Sequence, residues 1–189
     1  LIALTKTSRI ERLLAEQPGS PAATLDKLAI DERLLQYSDG PVHRSELAMA
    51  LNVALFHDLL LRVPSAAKLA EEHVQAGTLI VFDHGALRTI DGPTSALPRG
   101  HTAFARVLEP LGYVVGGHYP LPRLKMTGRA YVHRDWPEAI PQFFVSELHT
   151  SELSEDAQSA AERVFATSID PLDPSLNPIL EALSRDGAL

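Results

Sequence analysis

The sequence of 189 residues contains no cysteine. Disulfide bonds, thiolate metal sites and cysteine nucleophiles are therefore excluded, which leaves imidazole, carboxylate and water as metal ligands. No apolar run reaches the roughly 18 residues of a membrane-spanning helix, so we expect no membrane partner. The opening residues 1–14 carry early charges and lack the apolar stretch and cleavage site of a secretory signal. These absences favour a cytoplasmic protein.

Runs of lysine and arginine are missing as well, and the formal net charge is −7. Nonspecific nucleic-acid binding relies on a basic field, so we expect no nucleic-acid partner. Several motifs of common enzyme classes are also absent: GxGxxG after a strand, GxxxxGK[ST], GxSxG and HExxH. What is present is ordinary for a soluble globular protein, with 45% hydrophobic and 22% charged residues.

The spacing of apolar residues divides the chain into three regions. Residues 1–76 read as helical, with Ser45 as the expected N-cap of the longest helix. Residues 77–150 follow the order strand, helix, strand, strand, strand, with strands predicted at 78–90, 113–121, 128–135 and 140–150. Residues 151–189 return to helix, and Ser154 is its expected N-cap. We therefore expect an α+β fold, a βαβββ module with a helical N-terminal region and flanking helices.

The stretch VFDHGALRTI, residues 81–90, places a histidine and an arginine inside a strand pattern. Alternation along a strand puts His84 and Arg88 on one face, with Ala86 between them. A buried guanidinium needs a carboxylate or an anionic ligand, and arginine binds a carboxylate through two parallel hydrogen bonds. Small residues at 85 and 86 leave room for a metal or a small molecule, so we predict that both side chains point into one cavity beneath the sheet. The alternative is a hydrogen-bonded structural histidine, with the arginine paired to a structural glutamate.

The segment DHGALRTI resembles the His-Gly-Ala-(Ile/Leu)-Arg signature of the 2-oxoadipate dioxygenase/decarboxylase family. FARVLEPLGYVVGGHYPL, GRAYVHRD and PQFFVSEL follow in the family's order, so the resemblance covers about residues 78–149. It implies a vicinal-oxygen-chelate fold, built from βαβββ modules, and a non-haem Fe(II) held by two histidines and a glutamate. It also implies that 2-oxoadipate and O2 become 2-hydroxyglutarate and CO2, as in lysine catabolism. By this resemblance, His84 is the first iron ligand and Arg88 binds a substrate carboxylate.

The resemblance leaves two iron ligands to be found. Family members supply them from a second module, and residues 150–189 contain no matching histidine strand. We expect the chain, which does not begin with methionine, to be a fragment whose region 151–189 leads into that module. A second copy that completes the site in a homo-oligomer, and a loss of activity, are the alternatives. Glu147 and His149 share one face of the last predicted strand and are the reserve ligands within the chain.

The remaining histidines are interpreted first as structural or solvated residues. Trp136 is expected to fill an apolar gap. Two histidines on predicted strands, His118 and His133, could line a pocket. His57 is assigned to a helix core or interface, His73 to solvent and His101 to a helix start.

Two further functions are compatible with this sequence. One is a metal-dependent isomerase or lyase on the same scaffold, because a fold does not fix its chemistry. The other is a noncatalytic protein that binds a small anion and has lost the metal. Metal content separates the last from the two enzymes, and O2 consumption with 2-oxoadipate separates the dioxygenase from the isomerase or lyase.

Overall fold

The computed structural model describes residues 7–19 and 21–189. Residues 1–6 lie outside this range. They belong to the opening segment, which we predicted not to be a secretory signal. The helices and strands follow in chain order: α1 Arg9–Ala15, α2 Arg44–Arg62, α3 Pro64–Gln75, β1 His84–Asp91, α4 Thr102–Leu108, β2 Tyr113–Leu121, β3 Met126–His133, β4 Gln142–His149, α5 Glu155–Phe165 and α6 Asn177–Asp186. Short 3-10 helices lie at Pro21–Lys27, Glu32–Leu35, Pro122–Leu124, Thr150–Glu152 and Pro174–Leu176.

The four strands form one mixed sheet in the order β1-β4-β3-β2. β1 is parallel to β4, and β3 is antiparallel to both of its neighbours. The first and last strands of the module are thus adjacent, and α4 makes the crossover from β1 to β2. The predicted α+β class and the βαβββ order are confirmed.

The two faces of the sheet differ in burial. One face supplies large side chains to the core, among them Tyr113, Tyr131, Phe143 and Val145, and we call it the core face. The core also takes residues from α1, α2 and α6, so one apolar cluster joins the helices to the sheet. The opposite face is more exposed and is called the open face; it carries the even-numbered residues of two neighbouring strands, His84, Ala86 and Arg88 of β1 and Phe144, Ser146 and Leu148 of β4.

Helix starts follow ordinary capping chemistry. Ser154 caps α5, and its side chain accepts a hydrogen bond from the N–H of Ala157, as expected. The prediction for α2 was two residues off, because its N-cap is His43 and not Ser45. The Glu46 side chain accepts a hydrogen bond from the His43 N–H at 2.8 Å, which places Ser45 inside the helix.

Two predicted elements are shorter than the apolar spacing indicates. Within residues 1–76, which were predicted to be helical, Pro21–Lys27 and Glu32–Leu35 form short 3-10 helices rather than an α-helix. The Asp31 side chain accepts a hydrogen bond from the Arg33 N–H, and such local bonds compete with helix formation. Between the two 3-10 helices, Leu28 makes an isolated parallel bridge to Ile80. That bridge also takes Ile80 out of β1, which begins at residue 84 and not at 78.

No single helix in the described ranges is both long and apolar enough to cross a membrane. Helices α2 and α3 pass the length and composition test only as a pair, with a bend of 113° between them. Much of the first half of α2 is buried in the core, with Met49 and Val53 among its inaccessible residues.

Candidate active site

His84 opens β1 on the open face and is held by the residue before it. Its Nδ1 atom lies 2.5 Å from a carboxylate oxygen of Asp83, and the imidazole is 51% exposed. A carboxylate accepts but does not donate, so the imidazole carries its proton on Nδ1. Nε2 is left with its lone pair directed away from Asp83. This is the tautomer in which a histidine can donate to a metal.

Arg88 lies two positions further along the same face. Its Nη1 atom donates to the Ser146 hydroxyl at 3.0 Å and, less favourably, to the carbonyl of Leu87 at 3.3 Å. These are its hydrogen bonds to the described residues, and neither partner is a carboxylate. The expectation that burial would force Arg88 onto a partner was wrong in its premise, because the side chain is exposed. Its charge is therefore available to an anion from outside the sheet.

The shared face of His84 and Arg88 is confirmed, but the single cavity is not. His84 lines a cavity of about 530 Å³ together with Phe56, Arg62 and Phe143. Arg88 lines a different and mostly apolar cavity of about 820 Å³. Four residues of strand separate their Cα atoms by roughly 13 Å. The two groups thus lie on one face but line separate cavities, with α2 beside His84 and α4 and α5 beside Arg88.

The reserve ligands Glu147 and His149 lie on the opposite face from His84, which corrects their assignment. In the parallel β1–β4 register Arg88 is adjacent to Ser146, so Glu147 is adjacent to Thr89 on the core face. A one-residue offset reverses the side of a strand on which a side chain lies. His149 contacts Asp91 at 3.2 Å and Thr127 at 2.8 Å. Neither residue can share a metal ion with His84.

Glu147 has a structural role on the core face. Its carboxylate accepts hydrogen bonds from the His101 N–H at 2.6 Å and from Arg129 Nη1 at 3.0 Å, and the His101 ring lies 3.2 Å away. Burial by itself raises the pKa of Glu147, but the bonds from His101 and Arg129 outweigh it and the net pKa is lowered. The ionised carboxylate thus ties the start of α4 to the sheet.

His133 is buried at the end of β3 and is also structural. Its Nε2 atom lies 3.0 Å from the Leu111 carbonyl, and its Nδ1 accepts hydrogen bonds from the N–H groups of Asp135 and Trp136. This pattern requires a neutral ring with the proton on Nε2. Burial lowers the pKa of His133. The interpretation of His133 as a structural residue is therefore confirmed.

The other histidines agree with their sequence assignments. His57 contacts Thr24 at 2.8 Å beside the core, His73 is exposed and contacts Thr78, and His101 is the N-cap of α4. His118 is exposed on β2, on the core-face side of the register with Arg129. Trp136 packs against the core cluster as expected, with the guanidinium of Arg33 over its ring at 4.8 Å.

The described residues do not assemble a complete metal centre. No group of three or more His, Asp or Glu side chains in residues 7–19 and 21–189 could hold a metal ion. A facial iron site needs two histidines and a carboxylate. On the open face, the sheet offers one oriented imidazole, His84. A three-donor site therefore does not fit these residues alone.

Sequence reasoning missed two residues of this site, Asp83 and Ser146. Asp83 directly precedes β1, and its side chain contacts the neighbouring imidazole. Its position beside the histidine in the motif was a usable signal, because metal-binding histidines commonly donate to a carboxylate. Ser146 is 58 residues from Arg88 in sequence. Nothing in the sequence indicated Ser146, because its contact with Arg88 depends on the register between β1 and β4.

Comparison with solved structures relates this sheet to known folds. A protein from Ralstonia eutropha JMP134, assigned by name to the glyoxalase superfamily, is 44% identical over 95% of this chain and 57% of its own, with a TM-score of 0.88. A protein from Shewanella frigidimarina NCIMB 400, named as a hydrolase, is 26% identical over 74% of this chain and 58% of its own, with a TM-score of 0.52. The hydroxyglutarate synthase of Oryza sativa, whose structure contains 2-oxoadipate, is 20% identical over 79% of this chain and 50% of its own, with a TM-score of 0.57.

These likenesses establish the fold. The chain has the mixed α+β architecture of the glyoxalase, or vicinal-oxygen-chelate, superfamily, as the βαβββ order predicted. It spans between 50% and 58% of the length of the three proteins named above. No protein-family model and no curated protein sequence matches it.

Proposed function

We propose that the chain is a module of a non-haem Fe(II)-dependent 2-oxo acid dioxygenase/decarboxylase. The substrate we propose is 2-oxoadipate, which O2 converts to 2-hydroxyglutarate and CO2. One observation supports this most strongly: an imidazole oriented by a carboxylate lies on one open face of a βαβββ sheet with a guanidinium that pairs with no carboxylate of the described residues. The imidazole suits a metal ion and the guanidinium suits an anionic substrate, which is the combination this reaction needs.

In this proposal His84 is one protein ligand of the iron. Asp83 keeps the proton on Nδ1, so that Nε2 can donate. The other two donors come from outside the described residues, in a second βαβββ module or a second copy of the chain. When bound, the iron would activate O2 and accept the 2-oxo acid as a bidentate ligand.

Arg88 is the proposed anchor for a substrate carboxylate. Its exposed guanidinium has hydrogen-bond donors to spare, and a charge-assisted pair with a carboxylate is among the stronger polar contacts in proteins. The roughly 13 Å between the two Cα atoms leaves room for a metal at one end and an extended dicarboxylate towards the other. Arginine at this position thus favours a 2-oxo acid with an anionic group to anchor.

A sequence motif supports the substrate, and a structural likeness supports the scaffold. The HGALR motif with its ordered downstream segments resembles the 2-oxoadipate dioxygenase/decarboxylase family. The Oryza sativa hydroxyglutarate synthase, which binds 2-oxoadipate, has a similar fold. At 20% identity that second line supports the scaffold, so the choice of substrate rests on the motif and on Arg88.

The test measures the stoichiometry of the proposed reaction. The complete enzyme, with the module or copy that supplies the other two donors, is incubated with Fe(II), 2-oxoadipate and O2, and the consumed O2, the released CO2 and the 2-hydroxyglutarate are measured together. The proposal predicts equal amounts of all three, because both atoms of one O2 are taken up as one carboxyl group leaves. Release of CO2 without O2 consumption contradicts it.

A second candidate is a metal-dependent isomerase or lyase. It is favoured by the 44% identity to a protein placed by name in the glyoxalase superfamily. Such an enzyme would bind a divalent metal and turn over a 2-oxo substrate with no change in dissolved O2. The noncatalytic anion-binding alternative draws on the incomplete donor set of the described residues. It predicts binding of 2-oxoadipate that is independent of Fe(II).

A further inference from the structure

We propose that Ser146 is the positioning residue of Arg88, and that it directs the guanidinium towards the anionic ligand without neutralising it. The inference rests on the proposed function, since it specifies how the anchor is held. Ser146 and Arg88 are register partners on neighbouring strands, and Nη1 lies 3.0 Å from the serine hydroxyl. Ser146 is 4% exposed, whereas the arginine side chain is open to solvent. A buried serine hydroxyl thus contacts an exposed guanidinium.

The choice of a neutral partner matters for the charge. Three other arginines are paired with carboxylates: Arg129 with Glu147, Arg106 with Asp170 in a two-bond contact, and Arg44 with Asp135. Those pairs leave little charge for a ligand. A serine hydroxyl orients the guanidinium and leaves its full positive charge for an incoming carboxylate.

The geometry also keeps the binding edge of the guanidinium free. Both hydrogen bonds of Arg88 in the described part of the chain use Nη1. The edge formed by Nε and Nη2 has no partner there, and two parallel N–H groups on one edge are what a bidentate carboxylate requires. The Ser146 bond thus restricts the rotation of the side chain at the one nitrogen that the ligand does not need.

The experiment is a mutant cycle read by ligand binding. The dissociation constant of 2-oxoadipate is measured anaerobically on Fe(II)-loaded protein for wild type, Ser146→Val, Ser146→Thr, Arg88→Met and the Arg88→Met/Ser146→Val double variant. Thr and Val have similar shapes, and Thr alone keeps the hydroxyl. Ser146→Ala serves as the variant without added volume if Ser146→Val does not fold. Thr150→Val is the matched control, because it removes another hydroxyl of 4% exposure, bonded only to the Asp91 carbonyl.

The expected result is a binding constant about tenfold weaker for Ser146→Val, with Ser146→Thr within about twofold of wild type. In steady-state kinetics the loss appears in KM and leaves kcat nearly unchanged. In the Arg88→Met background, Ser146→Val causes no further loss, since there is no guanidinium left to position. Thr150→Val binds 2-oxoadipate like wild type.

Two outcomes overturn the inference and are distinguishable. If Arg88→Met weakens binding but Ser146→Val does not, or if the two losses are additive, Ser146 does not act through Arg88 and the proposed anchor survives. If Arg88→Met itself binds 2-oxoadipate as tightly as wild type, the anchoring role in the proposed function fails and the inference fails with it.

Discussion

At the scale of single residues, each functional side chain of β1 is held by one neighbour. Asp83 sets the tautomer of His84, and Ser146 contacts the guanidinium of Arg88. Both neighbours leave one side of their partner free: the Nε2 lone pair of the imidazole and the Nε–Nη2 edge of the guanidinium. Holding a group while leaving its reactive side free is the form that pre-organised sites take.

The Asp83–His84 pair predicts a second-sphere effect on metal binding. Asp83→Asn removes the charge that stabilises the Nδ1 proton, so iron affinity should fall by about tenfold or more. The measurement is an Fe(II) titration under anaerobic conditions. Asp58→Asn is the matched control, because Asp58 lines the same cavity and loses the same charge without touching His84. Equal losses for the two variants would mean that the effect comes from net charge and not from the orientation of the ring.

Arg88 predicts a graded effect on catalysis. Arg88→Lys keeps the charge but loses the planar fork, so kcat/KM for 2-oxoadipate should fall by about tenfold or more. Arg88→Met should be worse, since an anchoring pair of this kind contributes roughly 1.5–3 kcal/mol. Iron per chain should stay near the wild-type value, because Arg88 is not a ligand. An unchanged kcat/KM for Arg88→Met would return Arg88 to a purely structural role.

At the scale of elements, the contact between α4 and β4 fixes the core face of the module. Gly100 precedes the N-cap of α4 with a φ of +62°, and a Cβ there would collide with the Glu147 carboxylate. Since that carboxylate also binds His101 and Arg129, no other position is open to it without loss of bonds. The helix start, the strand and the buried ion pair are therefore one unit.

This unit predicts a large cost for a small substitution. Gly100→Ala combines a left-handed backbone with a collision against a buried carboxylate, and should lower the free energy of unfolding by more than about 2 kcal/mol. Gly77→Ala is the matched control, because Gly77 has a φ of +72° with no atom near its would-be Cβ. It should cost only about 1 kcal/mol. Equal costs in urea denaturation would remove the collision from the account.

The end of β3 predicts a dependence of stability on pH. Burial lowers the pKa of His133 from its usual 6.5 in the folded state. As pH falls below about 6.5, His133 is protonated in the unfolded chain before it is protonated in the folded chain. The free energy of unfolding therefore decreases as pH falls. The slope from this residue is at most about 1.4 kcal/mol per pH unit.

The measurement is urea denaturation of wild type and His133→Gln between pH 7.5 and 5. His133→Gln should be less stable at pH 7.5, because it loses bonds to Leu111 and to two backbone N–H groups. Its stability should vary less with pH over the same range. Parallel pH profiles for the two proteins would show that another group is responsible.

At the scale of the whole molecule, the sequence predicted the topology better than the site. Strand and helix periodicity yielded the βαβββ order, and alternation alone placed His84 and Arg88 on one face. Both inferences need only local spacing. The assignment of Glu147 and His149 to the metal failed because it needs the register between two strands that are distant in sequence.

The other errors have the same physical origin. The helical region predicted at residues 1–76 is interrupted by a side-chain cap at Asp31 and by the bridge between Leu28 and Ile80. The single cavity failed because α2 lines the space beside His84 whereas α4 and α5 line the space beside Arg88, and alternation along one strand says nothing about which elements pack beside it. Local spacing predicts which face a residue occupies, whereas tertiary contacts decide what it meets there.

The central claim is that His84 holds the catalytic iron, and one paired measurement tests it most directly. Iron per chain and O2 consumption with 2-oxoadipate are determined for wild type and His84→Ala, with His118→Ala as the control, since that histidine is exposed on β2 of the same sheet. The half-exposed His84 is not part of the core, so its removal should leave the thermal unfolding midpoint near that of wild type. We expect His84→Ala to lose both the iron and the O2 consumption, while His118→Ala keeps both. Wild-type iron content together with undiminished O2 consumption in His84→Ala would contradict the claim.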